Sequence, residues 1–311
     1  MINHGGPAVA LIGPTASGKS SLAHELALER RELEILALDA MTVYRGMDIA
    51  TAKATPAQRA QVAYHLVDLV EPSEEFSLAQ YQRAAREAAH EVWDNAGAVL
   101  YVGGTGLHGR AVLDNLEIPG QFREVRSDLE ARVAHEREEL FALLVSLDPV
   151  AASRMEPTNE RRLVRALEVT LGSGRPFSSY GPGLRHYAAV RVVQVGLRVE
   201  ADELDRRIEE RFHAWMDQGL LDEVRTLAAT PGGLSRTARQ AVGYRELLAH
   251  VEGGEPLERC VEAAITRSRR LARRQRSWFQ RDPRIEWFED PGAARARLIE
   301  VVTSPDGFVR D

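Results

Sequence analysis

Apolar residues in this chain gather in short unbroken runs, and between the runs they recur every three or four positions. "AVALIG" (8–13) is one run, and in the following "KSSLAHELALER" residues Leu22, Leu26 and Leu28 return at roughly one helical turn. The run reads as a buried strand and the spacing after it as an amphipathic helix. The alternation continues. "LEILALD" (33–39) is a strand ending in Asp39, "SLAQYQRAAREAAHEVWDNA" (77–96) is a helix opened by Ser77, and "AVLYVGGTG" (98–106) is a third strand. Strands alternating with helices predict an α/β fold with a parallel sheet, whose ligands lie beyond the carboxyl ends of the strands. The loop starting at Gly13, Asp39, and Gly103 to Thr105 all fall at such ends.

Past "IPG" (118–120) the strand signal stops, and "FREVRSDLEARVAHEREELFALLVSLDPVAASRM" and "NERRLVRALEVTLG" read as charged amphipathic helices. A Gly, Pro and Ser-rich stretch (172–183) is a loop by composition. "RVVQVGLRV" (191–199) restores a strand, and Asp202 to Arg281 reads as helical with breaks at "TPGG" and "EGGEP". The expected organisation is a phosphate-loop core over 1–118 and 190–311, interrupted by a helical insertion over 119–189.

Composition refines this picture in three places. No apolar run approaches membrane-span length, and "MINHGGPAVALIG" lacks the pattern of a signal peptide, so a cytoplasmic protein is expected. A single cysteine, Cys260, excludes an internal disulfide and any zinc site needing two thiolates. The net charge of −6 argues against coating nucleic acid by bulk electrostatics, yet seven of the fifteen residues from Arg267 to Arg281 are Arg and none is acidic. That block favours an anion-facing surface over a merely solvated one. Only two lysines, Lys19 and Lys53, stand among 40 basic residues, so both positions invite a reason for lysine.

Lys19 has one. "GPTASGKS" matches G-x-x-x-x-G-K-[ST] between a strand and a helix, so Gly13, Pro14, Thr15, Ala16, Ser17, Gly18, Lys19 and Ser20 form a phosphate-binding loop. Its N–H groups and the helix N-terminus face phosphate oxygens, Lys19 adds a point charge, and Ser20 is placed to reach a magnesium ion. The loop does not count phosphates. A GTPase needs an Asn-Lys-x-Asp base-reading motif, which is absent, whereas an ATP-dependent small-molecule kinase remains open at this point. Asp39 is either a magnesium carboxylate, a turn cap, or a reacting group.

"GPTASGKS", "DAMTVYRGMDIATAK", "YVGGTGL", "RRLVRALEV", "QVGL", "RFHAWMDQGLLDEV", "AVGYREL" and "ARRQRSWF", in this order, resemble the tRNA dimethylallyltransferase (tRNA isopentenyltransferase) family of the bacterial type over nearly the whole chain. The resemblance implies transfer of a dimethylallyl group from dimethylallyl diphosphate to the exocyclic amine of the adenosine 3′ to certain tRNA anticodons, with Mg2+. The loop then holds a diphosphate. By the same resemblance Asp39 accepts the amine proton, Thr105 and Arg211 grip the diphosphate, and Asp39, Ala40, Met41, Thr42, Arg161, Arg162, Gly243, Tyr244 and Arg245 touch tRNA. The insertion is expected to contact the anticodon stem-loop and the protein to be monomeric. Beside the kinase, against which the late Arg block and the helical insertion favour RNA, an adenylate isopentenyltransferase, sharing the donor but taking a nucleotide acceptor, is the second alternative, and the long Arg-rich C-terminal part speaks against it.

The chain departs from the family pattern at three points. "DSMQVY" is "DAMTVY" here, and a threonine at 42 cannot make the paired hydrogen bond to an adenine edge that a glutamine can. The usual Gln-Arg before "RALEV" is Arg161-Arg162. "GGTGLY" ends in His108, whose expected role is structural.

Overall fold

A computed structural model describes residues 6–303. The chain divides into two compact units, Met1–Asn115 with Ala188–Asp311, and Leu116–Tyr187. The first is built on a six-stranded parallel sheet of β1 (Ala8–Ile12), β2 (Leu33–Leu38), β3 (Tyr64–His65), β4 (Ala98–Gly103), β5 (Val193–Leu197) and β6 (Ile285–Phe288), in the order β3-β2-β4-β1-β5-β6. This is the expected α/β fold of phosphate-loop type.

Side chains alternate between two covered faces, which is why the strands read as continuous apolar runs. Val9 and Leu11 of β1, Leu33 and Ile35 of β2, and Leu100 and Val102 of β4 pack under helices Lys19–Glu29 and Pro291–Thr303 through Leu22, Leu26, Ala294 and Leu298. Ala10 and Ile12, Leu36 and Leu38, and Val99 and Tyr101 point to the opposite face, against Tyr81, Ala85, Ala89 and Val92 of helix Leu78–Asp94. Ser77 opens that helix by accepting the Gln80 N–H while the Gln80 side chain returns to Ser77 N–H, a reciprocal cap.

Five helices and strands escaped the periodicity: helix Pro56–Gln61, β3, helix Gly106–Leu113, β6 and helix Pro291–Thr303. β3 has two residues and β6 four, too short for a period to show. The second unit is helical, with Leu129, Leu140, Leu144, Leu163, Val164 and Leu167 as its core. Glu168, fully buried within it, is paired with Arg126 and Arg165 and accepts the Phe122 N–H. Among the described residues no helix is long and apolar enough to cross a membrane.

Candidate active site

The order of the strands fixes where the site lies. The chain leaving β1 crosses to β2 on one side and the chain leaving β4 crosses to β5 on the other, so a crevice opens at the carboxyl ends of the adjacent strands β1 and β4, with the end of β2 beside it. In the β2–β4 register Leu38 stands opposite Gly103, which places Asp39 and the Gly103–Gly104–Thr105 turn side by side. Gly103 is required: a Cβ there would collide with Leu38 of the neighbouring strand.

The phosphate loop runs from β1 to helix Lys19–Glu29. Gly18 has φ +91°, a left-handed conformation at the helix N-cap that a Cβ would strain. Lys19 Nζ donates to the Pro14 carbonyl at 3.0 Å, folding the ammonium back over the loop. Burial and, secondarily, Arg211 lower the Lys19 pKa to about 8 against the opposing effect of Asp39, so these three charges share one site. The Ser17 hydroxyl is buried without a partner in the loop.

Arg211 reaches this loop from helix Ala201–Asp217. Its Nη2 donates to Thr15 Oγ1 at 2.5 Å and its guanidinium lies 4.6 Å from the Trp215 ring centroid, while Nε is buried and unpartnered. Burial lowers its pKa to about 10. A desolvated guanidinium with a free donor is prepared for an anion. Asp39 Oδ1 accepts the Met41 N–H at 2.8 Å, and Thr105 Oγ1 lies 3.5 Å from Asp39 Oδ2. Thr105 occupies the N-cap position of helix Gly106–Leu113, yet its hydroxyl makes no cap and faces the carboxylate instead.

The structure thus brings Gly13–Ser20, Asp39, Thr105 and Arg211 together. Ala40 and Met41 are half-buried beside them. Thr42 is turned inward, its hydroxyl shared between the Asp39 and Leu66 carbonyls, so its side chain is not presented to a ligand. Tyr244 is fully enclosed, and its hydroxyl donates to Glu223, which also accepts the N–H groups of Asp48 and Ile49. The Tyr244 side chain, expected at tRNA, therefore ties the "GYRE" segment to "RGMDIATAK". Gly243, with φ +90°, caps helix Tyr244–Gly253, and Arg245 in the first turn of that helix is exposed. Arg161 and Arg162 are exposed at the start of helix Glu160–Ser173 in the second unit. His108 is packed edge-on against Tyr81, and burial takes its pKa down to about 4 against the opposing effect of Asp39.

Two further features were not read from the sequence. Gln275 accepts the Thr15 N–H at 2.8 Å from helix Leu257–Phe279. The spacing Ala264, Ser268, Ala272, Gln275, Phe279 places it on the buried stripe of that helix, a signal the run of arginines concealed. The arginine block is also less free than its composition suggests. Arg267 pairs with Glu246, Arg269 with Glu209 and Arg273 with Asp205, whereas Arg270 and Arg274 are exposed with no ion pair among the described residues. The neutralising acids arrive from other elements, which a window of sequence cannot see.

A parallel sheet with a phosphate loop after β1, two converging cations and a carboxylate at the end of β2, across β4, defines a phosphate-loop protein built for anion chemistry. The IPP transferase family model matches residues 42–282. The chain is 45% identical over 299 residues to tRNA dimethylallyltransferase of Acidothermus cellulolyticus, covering 94% of this chain and 93% of the other, and 43% identical over 307 residues to that of Kineococcus radiotolerans, covering 95% and 96%. The crystal structure of a full-length tRNA isopentenylpyrophosphate transferase from Bacillus halodurans superposes with a TM-score of 0.68 at 34% identity over 95% of each chain. A eukaryotic dimethylallyltransferase acting on tRNA shares the fold, with a TM-score of 0.76 at 22% identity over 97% of this chain and 79% of that one. The chain belongs to the IPP transferase family.

Proposed function

We infer that this protein is a tRNA dimethylallyltransferase: it transfers the dimethylallyl group of dimethylallyl diphosphate to the exocyclic amine of an adenosine in tRNA and releases diphosphate. One observation carries the reading in atomic terms. Lys19 of the phosphate loop, Arg211 from helix Ala201–Asp217 and the Asp39–Thr105 pair meet at the carboxyl ends of β1, β4 and β2, so a leaving diphosphate and an incoming amine are served in one crevice.

The bond from the allylic carbon to the diphosphate oxygen breaks, and its electron pair leaves with the diphosphate. Loop N–H groups, Lys19 and Arg211 stabilise that charge, Arg211 through the donor it holds unpaired. The amine nitrogen forms the new bond to carbon, and its proton passes to Asp39. The Met41 N–H and the Thr105 hydroxyl keep the carboxylate oriented. A purine amine is normally stacked, so the base is flipped out to reach the strand end. The residues suit Mg2+: Ser20 is exposed at the helix start, and among the described residues no cluster of three acidic, His or Cys side chains forms an all-protein cage. Such a cage is not needed, because magnesium keeps several waters and takes substrate phosphate oxygens beside one or two protein ligands, a role that Ser20 fits. When bound, it would share the negative charge of the diphosphate. Arg161, Arg162, Arg245, Ala40, Met41 and the unpaired cations of helix Leu257–Phe279 are assigned to tRNA.

The test is direct. The protein is incubated with total tRNA, magnesium and labelled dimethylallyl diphosphate, and the tRNA is digested to nucleosides. Label on adenosine supports the reading; label on free adenylate only, or turnover of ATP without label transfer, refutes it.

A further inference from the structure

Gln275 lies 260 residues from Thr15 in sequence and is nine-tenths buried, yet its Oε1 takes the N–H of a residue in the phosphate loop. The space for the amide comes from Gly104. A Cβ on Gly104 would lie 2.8 Å from Gln275 Nε2 and 2.9 Å from the Gly13 carbonyl oxygen, so the amide fills a gap between the loop after β1 and the turn after β4. Trp278, one turn further along the same helix, covers Gly106 in the same manner, where any Cβ would strike the indole. The helix is also fastened to Ala201–Asp217, the helix of Arg211, by the Arg273–Asp205 and Arg269–Glu209 pairs.

These contacts form a chain of restraint. Gln275 holds the Thr15 peptide, the Thr15 hydroxyl holds Arg211 Nη2, and the Trp215 ring holds the face of the guanidinium. A peptide N–H pinned inward cannot rotate toward the ligand, and the side chain of the same residue is then fixed in direction. We propose that Gln275 is a positioning residue for the donor site, holding Thr15 so that the guanidinium of Arg211 is aimed at the diphosphate. The proposal rests on the reading of the loop as a diphosphate site.

Gln275→Met keeps the length and volume of the side chain but removes the amide, and Gln275→Glu keeps an acceptor for the Thr15 N–H. Amide hydrogen exchange in the ligand-free protein reports the hydrogen bond itself. Exchange at Thr15 should accelerate in Gln275→Met and return toward wild type in Gln275→Glu. Affinity for inorganic diphosphate with magnesium should fall about tenfold in Gln275→Met, the size of one buried hydrogen bond. The KM for dimethylallyl diphosphate should rise while tRNA affinity and the melting temperature hold. If Gln275 acts through Arg211, the Met substitution costs little more in an Arg211→Ala background. Unchanged Thr15 exchange, unchanged diphosphate affinity, or a loss shared equally by tRNA affinity and melting temperature overturns the proposal. Failure of the wild-type protein to bind diphosphate overturns the underlying reading instead, and the exchange measurement separates the two.

Discussion

Lys53→Met and Lys53→Arg probe how the segment carrying Asp39 is held. The Lys53 ammonium is enclosed and donates to the Tyr44 carbonyl at 2.7 Å, Asp48 Oδ1 at 2.5 Å and Asp68 Oδ1 at 2.7 Å, which uses all three of its hydrogens. Asp68 is also held by Arg59, and its N–H donates to the Thr42 carbonyl, so Lys53 closes the loop from Asp39 to Lys53 onto the segment around residue 68. Removing one partner of a buried ion pair costs about 3–5 kcal/mol, and the partial exposure of Asp48 and Asp68 puts Lys53→Met near the lower end, about 3 kcal/mol. At roughly 2 °C per kcal/mol for a unit of this size, its melting temperature falls by about 6 °C. Lys53→Arg keeps the charge but puts a larger planar group where a compact one fits three acceptors, an overpacking cost of about 2 kcal/mol, or about 4 °C.

Both variants should transfer more slowly in a single turnover, because Asp39, Ala40 and Met41 ride on the loosened segment. Burial pushes the Asp68 carboxyl up, but Lys53 and Arg59 outweigh it and hold the pKa below its ordinary value of 3.8. Its stabilising contribution is therefore present above that value and disappears as pH falls through the folded-state pKa. Lys53→Met should lessen this acid sensitivity. The assays are thermal unfolding across pH and single-turnover transfer, with Asp68→Asn closing a double-mutant cycle. A Lys53→Arg protein that melts within about 1 °C of wild type, far less than overpacking predicts, and transfers at full rate would refute the argument.

Asp39→Asn should leave dimethylallyl diphosphate binding intact and lower single-turnover transfer by about 10²- to 10⁴-fold, the usual contribution of a general base; full rescue by raised magnesium would make Asp39 a metal ligand instead. Lys19, with its pKa lowered to about 8 by burial and by Arg211, is charged below that pH, so dimethylallyl diphosphate affinity should fall as pH rises above it, by up to about tenfold per unit. The folding cost of the buried ammonium is fully present below about 8 and relieved between there and 10.5, so stability should move the opposite way; titration calorimetry and melting across that window, with Lys19→Met as a control that flattens both, check the sign. Replacing the exposed Arg270 and Arg274 by Gln should reduce the log–log salt slope of tRNA binding by roughly 0.7–0.9 for each tRNA phosphate the protein no longer neutralises, while diphosphate binding is unchanged. An unaltered slope would return both arginines to a solvated surface.

The elements legible in the sequence were those whose information is local. The phosphate loop is a contiguous stretch between a strand and a helix, and Asp39 and Thr105 follow apolar runs whose ends mark the carboxyl edge of the sheet. Ser77 announces its helix at the first position. β3 and β6 were not legible because a short strand at the edge of a sheet carries too few residues for a period, and its existence depends on a neighbour already in place.

What a residue does with its side chain was decided by the tertiary structure. Thr42 and Tyr244 stand in motifs that read as tRNA contacts, and folding turns both inward, because the Leu66 carbonyl and the Glu223 carboxylate reach them from other segments, 24 and 21 residues away in sequence. The arginine block carries no acid of its own, so only packing against helices Ala201–Asp217 and Tyr244–Gly253 could neutralise Arg267, Arg269 and Arg273 and leave Arg270 and Arg274 exposed. Gln275 meets Thr15 across 260 residues, a contact for which the sequence offers periodicity but no partner. Sequence determined which groups stand at the strand ends, since period and loop chemistry act over a few residues; the fold determined which of them are free to meet a ligand, since burial and pairing are properties of neighbours in space.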